Sequence, residues 1–153
     1  MPVKVVEKNK VITELLNGTN VALKTIIPSH FELTTPKLLG TSLHLQFGIL
    51  IGITGDFKAR LVLIGIPSTF SSLAQSMFGM ELEGEMLVSF SGELGNMLAG
   101  SISTQIINNG IKTDISSPTI LHGDTYLSGY EKAIHMSVII SYKDKLDLYL
   151  LLD

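Results

Sequence analysis

The residues whose types and spacing invite a chemical reading lie in one run, Ser89-Phe90-Ser91-Gly92-Glu93-Leu94-Gly95-Asn96. At about 100° per residue on a helix, Ser89, Glu93, Asn96 and Gly100 fall within an arc of about 60°, away from the centre of the adjoining apolar stripe. Such a helix buries one side and displays a narrow polar line: a hydroxyl, a carboxylate, an amide and a gap. Three glycines, Gly92, Gly95 and Gly100, stand inside it, and each costs roughly 0.5–1 kcal/mol against alanine in a helix interior. Something must offset that cost. Close approach by another backbone or by a partner's active site is one reading; tight packing on a sheet is the other. Taken alone, Glu-x-x-Asn is a weak motif, and a second copy, Glu14-Leu15-Leu16-Asn17, stands near the amino terminus.

The other signatures of enzyme chemistry are missing. There is no phosphate loop, no dinucleotide glycine fingerprint and no nucleophile elbow. The chain has no cysteine, which excludes disulfides, zinc–thiolate sites and thiol catalysis. His30, His44, His122 and His135 are isolated, with no two at metal-ligand spacing, so no metal site is expected. The acidic run Glu81, Glu83, Glu85 precedes the long helix and reads as a partner for its amino-terminal dipole.

The elements that must position the polar line can be read from periodicity. Apolar spacing predicts a first helix from about Lys8 to Ile27, ended by Pro28. Strands are expected at about His30–Thr34, Leu43–Thr54 and Phe57–Ile66, the last two joined through Thr54-Gly55-Asp56, a hairpin signal. A short helix starts at Pro67-Ser68, with Ser68 as its N-cap, and stops at Gly79. The long helix runs from about Glu83 to Asn108, closed by Asn109-Gly110, with a stripe of Met86, Phe90, Leu94, Leu98, Ile102 and Ile106. Strands follow near Ile111–Ser116, Ala133–Tyr142 and Leu146–Leu152, the last pair turning at Lys143-Asp144-Lys145. The order is helix and three strands, short helix, then helix and three strands, which points to an internal duplication. No helix separates the members of the long strand pairs, so the fold class is α+β with a largely antiparallel sheet.

Composition agrees with this architecture. At 153 residues, 45% hydrophobic and 16% charged, the chain fits a single domain able to bury its own core. The opening Met1–Lys10 is polar and charged, and residues 1–7 need not be ordered. The longest apolar stretches, Phe47–Ile53 and Ile134–Ile140, fall far short of the ~20 residues of a membrane span. No secretory signal is visible. The net charge is −3 with scattered bases, so no nucleic-acid surface is expected. A cytoplasmic protein is the expectation.

The string SFSGELGNMLAGSISTQI resembles the signature helix of the CheC/CheX family of chemotaxis phosphatases. There a Ser or Asp is followed four residues later by Glu and three later by Asn, with a proline a little over twenty residues on. In this sequence these are Ser89, Glu93, Asn96 and Pro118. The order of the other elements fits the same family, and the first helix, with Lys10 four residues before Glu14, lacks the full pattern. That favours the CheX type, with one motif helix. The resemblance implies a phosphatase acting on the aspartyl phosphate of a CheY-type response regulator in chemotaxis, with Asn96 orienting the attacking water and Glu93 pairing with the regulator's lysine. Ser89, Gly100 and Pro118 would belong to the binding surface. An amide suits the first role because it donates and accepts hydrogen bonds without a charge to repel phosphoryl oxygens. Neither role calls for a histidine, and none lies close by in the helix. No cofactor of its own is implied, since the Mg2+ would be bound by the regulator. The resemblance also implies a homodimer. The apolar tail Leu146–Leu152 would be a hazard on an open sheet edge, and pairing of edges would remove it. The alternatives are a noncatalytic regulator-binding or flagellar-switch-like module on the same fold, and a small-ligand domain for which no convergent polar cluster speaks.

Overall fold

The computed structural model describes residues 6–40 and 42–153. In chain order the elements are α1 (Lys8–Ile26), β1 (Phe31–Leu33), β2 (Lys37–Leu39), β3 (Leu43–Gly55), β4 (Ala59–Ile64), α2 (Pro67–Phe78), α3 (Gly84–Asn108), β5 (Thr113–Ile115), β6 (Thr119–Leu127), β7 (Lys132–Ile140) and β8 (Asp144–Leu152). The strands form one antiparallel sheet in the order β1-β7-β8-β4-β3-β5, with β2 in line with β1 along β7 and β6 in line with β5 along β3.

The expected duplication is visible in this topology, with four strands per half rather than three. Each half is a helix, two edge strands and a hairpin: α1 with β1–β4, and α3 with β5–β8. The edge strands of each half pair with the hairpin of the other half, and the hairpins join at the centre through β4 and β8. Only α2 has no counterpart. The α+β class and antiparallel sheet are as anticipated.

Helices and sheet enclose a core built on Leu15, Leu23, Ile49, Ile51, Ile53, Leu61, Leu63, Leu94, Leu98 and Ile102, all 0–1% exposed. Odd-numbered residues of β3 after Gln46 face that core. Before Gln46, Leu43 and Leu45 instead join a smaller apolar cluster with Val62, Tyr130 and Leu151. The faces exchange where the register shifts: the two steps from Leu45 to Phe47 on β3 stand against three from Thr125 to His122 on β6, so the extra residue lies on β6. One long strand thus serves both clusters.

Gly95 resolves part of the glycine question. A Cβ there would lie 2.8 Å from Ile49 Cγ2 and 2.9 Å from Ile51 Cδ1, so α3 seats on β3 at a distance only glycine permits. Helix α1 meets α3 in the same way, with Gly18 against Ile102. For these two, packing within the fold offsets the helix penalty.

Several expectations require correction. β2 and the nine-residue β6 lie in segments read as connections. β2 is three residues long with every residue exposed. β6 alternates only between exposed and half-buried positions and carries His122-Gly123-Asp124 at its middle, a turn-like run. Ser68 is not the N-cap of α2; Ile66 is, with Pro67 in the first turn and no side-chain cap. Gly79 closes the helix in the left-handed conformation as anticipated (φ 72°). The β7–β8 turn sits earlier than Lys143-Asp144-Lys145. Ser141 and Tyr142 are its central residues, at φ 53° and 60°, and the Lys143 N–H donates to the Ile140 carbonyl at 3.1 Å, as in a type I′ turn. The carboxy-terminal tail is not on an edge: β8 lies between β7 and β4, so its apolar residues are paired on both sides. Of residues 1–7, only Val6, packed on the core, and Glu7, the N-cap of α1, are among the described residues.

Candidate functional site

Helix α3 is buried over most of its circumference. Leu87, Phe90, Ser91, Leu94, Leu98, Ala99, Ile102 and Ile106 face α1 and the sheet. Met86, assigned to the same stripe from sequence, is 61% exposed. Residues spaced strictly by four drift about 40° per step around a helix of 3.6 residues per turn, so the start of the run rotates out and Leu87 takes its place. Buried Ser91 satisfies its hydroxyl by donating to the Leu87 carbonyl at 2.7 Å.

What remains uncovered is the polar line. Ser89 and Glu93 are exposed and Asn96 is half-buried. They form one wall of an open groove of about 480 Å³ whose other wall is Ser117, Pro118 and Ile120, from the β5–β6 connection and the start of β6. Gly92 forms its floor, and a Cβ there would stand 3.3 Å from Ile120 Cδ1 and 3.9 Å from Pro118 Cβ. Of the five residues singled out from sequence, the fold brings Ser89, Glu93, Asn96 and Pro118 together. Gly100, a turn further on, does not line the groove, and the nearest atom to a Cβ there is Ile115 Cδ1 at 3.9 Å. Ser117 and Ile120 were missed because β6 was missed. Strand alternation from Pro118 would have placed Ile120 on the same side.

Among the described residues, the Glu93 and Asn96 side chains have no hydrogen-bond or ion-pair partner within the chain. The second Glu-x-x-Asn pair differs. Glu14 is half-buried and accepts a hydrogen bond from Asn109 Nδ2 at 2.8 Å. Its carboxylate is already engaged by the residue that ends α3. The two pairs look alike in sequence and differ in availability.

The histidines lie on the sheet or its rim, each against an aromatic ring. His30 stacks on Tyr142, His44 on Tyr126 and His135 on Tyr149, while His122 meets Phe47 edge-on. His44 also pairs with Asp124, and its hydrogen bond holds that carboxyl below the usual aspartate value. Ser137, His135 and Asp147 gather on β7 and β8, but not as a nucleophilic triad. His135 meets both partners through the same Nε2, at 3.5 Å from the Ser137 hydroxyl and 2.8 Å from Asp147 Oδ1. The hydroxyl donates directly to the same carboxylate at 2.8 Å, so no proton path from serine to aspartate runs through the ring. Burial, then the charge of Asp147, raises the Tyr149 phenol above its usual value. Among the described residues no group of three or more His, Asp and Glu side chains could hold a metal ion, and no helix is long and apolar enough to cross a membrane.

An exposed carboxylate and amide one turn apart, beside an apolar wall, can bind a cation and order a polar ligand against the helix. Comparison with known proteins gives this arrangement a family. The model of the chemotaxis phosphatase CheX family matches residues 47–143, a span that includes α3 and the opposing wall. The CheY-P phosphatase CheX of Thermotoga maritima is 30% identical over 104 residues, covering 65% of this chain and 67% of that protein. Among solved structures, the chemotaxis protein CheX from Vibrio vulnificus has a TM-score of 0.76 at 18% identity, covering 94% of this chain and 99% of that one. A chain of the CheX–CheY–BeF3–Mg2+ complex from Borrelia burgdorferi has a TM-score of 0.74 at 17% identity, covering 92% and 96%. At these identities the structural likenesses speak for the fold, while the family model covers well over half of the sequence. This chain belongs to the chemotaxis phosphatase CheX family.

Proposed function

We propose that the protein accelerates hydrolysis of the aspartyl phosphate on a CheY-type response regulator, with Asn96 and Glu93 as the working residues. The observation that carries this reading is the pair itself: two polar side chains, one turn apart, held in an open groove and without partners among the described residues. Family membership and the named activity of the Thermotoga maritima relative support it.

The chemistry follows from what an acyl phosphate lacks. The regulator's own Mg2+ and lysine already stabilise charge on the phosphoryl group, so the missing contribution is a water held in line with the leaving carboxylate oxygen. The Asn96 amide accepts a hydrogen bond from that water through Oδ1 and donates through Nδ2 toward the phosphoryl oxygens. Glu93 pairs with the regulator's lysine and fixes the helix in register over the phosphoryl group. Ser89 and Pro118 belong to the contact surface. The protein then needs no cofactor of its own, and it works in the cytoplasm alongside the regulator.

The test is phosphate release from an acetyl-phosphate-charged CheY-type regulator with and without this protein. Acceleration in the wild type, with Glu93→Lys raising the half-saturating regulator concentration at least tenfold, is the result this reading requires. It fails if the wild type binds the regulator and leaves its phosphate lifetime unchanged, which is the behaviour of a noncatalytic module.

A homodimer is proposed with it. The sheet edges are β1 and β2 on one side and β5 and β6 on the other, and Leu38 of β2 and Tyr126 of β6 are 69% and 67% exposed. Sedimentation at micromolar concentration should show a dimer, and a stable monomer refutes the assembly.

A further inference from the structure

The groove beside Glu93 and Asn96 does not end at Ser89. Val88 and Ser89 also line a second hollow of about 670 Å³ toward the amino end of α3, closed by Phe47, Pro67, Leu87 and His122. Its walls are mainly apolar, and the His122 ring stands edge-on to Phe47 with centroids 5.8 Å apart. We propose that this hollow is an anchor pocket that takes an apolar side chain from the surface ringing the regulator's phosphorylation site, setting affinity for the reaction at Asn96. The inference rests on the phosphatase reading above.

If that reading holds, the hollow lies within reach of the same contact. A specific complex covers about 800 Å² on each partner, a disc of about 16 Å radius. Val88 and Asn96 are eight residues apart in α3, about 12 Å along the axis at 1.5 Å per residue. A regulator seated with its phosphoryl group at Asn96 therefore reaches the hollow as well. The catalytic pair is polar and offers little area for desolvation, whereas interface energy concentrates where apolar side chains are desolvated in pockets. Met86, 61% exposed on the same face of α3 as Glu93, extends the apolar surface around it. The pocket thus separates two tasks: Asn96 acts on the reaction, and Val88 and His122 hold the partner.

The probe is a CheY-type regulator loaded with beryllofluoride and Mg2+, titrated against wild type, Val88→Asp, His122→Glu and Asn96→Ala. Phosphate release from the acetyl-phosphate-charged regulator is followed in parallel. Val88→Asp and His122→Glu should each weaken binding about tenfold or more and raise the half-saturating regulator concentration by the same factor, with the saturated rate within about twofold of wild type. Asn96→Ala should do the reverse. His122 is exposed, so His122→Glu tests the pocket independently should Val88→Asp fail to fold. Folded variants that bind like wild type, while wild type accelerates release, overturn the anchor pocket alone. A wild type with no effect on release overturns the phosphatase reading and the pocket with it. Weakened binding of a second copy of this chain, with regulator binding intact, assigns the hollow to self-association and contradicts the proposal.

Discussion

Replacing the three interior glycines of α3, Gly92, Gly95 and Gly100, one at a time by alanine should give three different signs, and the differences follow from the sheet beneath the helix. In free space each change gains roughly 0.5–1 kcal/mol of helix propensity. At Gly100 the nearest atom to the new methyl is Ile115 Cδ1 at 3.9 Å, ordinary contact, so the gain should appear almost undiminished. At Gly92 the methyl meets Ile120 Cδ1 at 3.3 Å, the movable end of a half-exposed side chain, and the net effect should be near zero. At Gly95 it meets Ile49 Cγ2 at 2.8 Å and Ile51 Cδ1 at 2.9 Å. Both isoleucines are 0% exposed, and the Cγ2 branch cannot swing aside without leaving its rotamer. Overpacking of this kind costs about 1–3 kcal/mol, so Gly95→Ala should lose about 1–2 kcal/mol net. For a domain of this size 1 kcal/mol moves Tm by about 2–4 °C. Thermal unfolding of the three variants should therefore place Gly100→Ala above wild type and Gly95→Ala below it, about 3–12 °C apart. Gly95 adjoins Asn96, so raising the helix should also slow phosphate release, with Gly100→Ala unaffected. A Gly95→Ala protein as stable as Gly100→Ala would refute the claim that close seating on β3 is what offsets the glycines.

Two further outcomes are expected. Changing Glu14 and Asn17 together to alanine should cost about 1 kcal/mol through loss of the Asn109 hydrogen bond and leave phosphate release unchanged; a large drop in activity would make α1 a second site. Substituting Ser141→Asn and Tyr142→Gly suits the left-handed conformations there (φ 53° and 60°) and should gain about 1 kcal/mol in urea unfolding. A loss would mean that the stacking of Tyr142 on His30 outweighs the strain.

Periodicity and punctuation made much of this fold legible. α1, α3 and the β3–β4 hairpin were recoverable because their apolar residues recur at 3.6 or 2 and their ends carry Pro28, Gly55 or Gly110; the β7–β8 hairpin was legible from its apolar runs alone, so its turn was placed too late. β6 was not, because a strand whose better-covered face is only half-buried has no strong alternation, and Gly123 interrupts it. Strand order was beyond local signals too: nothing within Leu146–Leu152 tells that β8 lies between β7 and β4 rather than at an edge. At the site, angular arithmetic on α3 found Ser89, Glu93 and Asn96, since those positions depend on one helix alone. Gly100 shares their face of the helix but does not line the groove, where Ser117, Pro118 and Ile120 form the other wall. The second wall, Ser117 and Ile120, comes from tertiary pairing between β6 and β3. Likewise only the fold distinguishes Glu14, engaged by Asn109, from Glu93, left open.

Asn96, without a partner among the described residues, is proposed to position water for hydrolysis of a regulator's aspartyl phosphate. The most direct test of that role is the rate of phosphate release from a charged CheY-type regulator at saturating wild type and at saturating Asn96→Ala. Wild type should accelerate release and the variant should return it to the regulator's own rate, while the two bind the beryllofluoride-loaded regulator with affinities within a few-fold. Full acceleration by Asn96→Ala would contradict it.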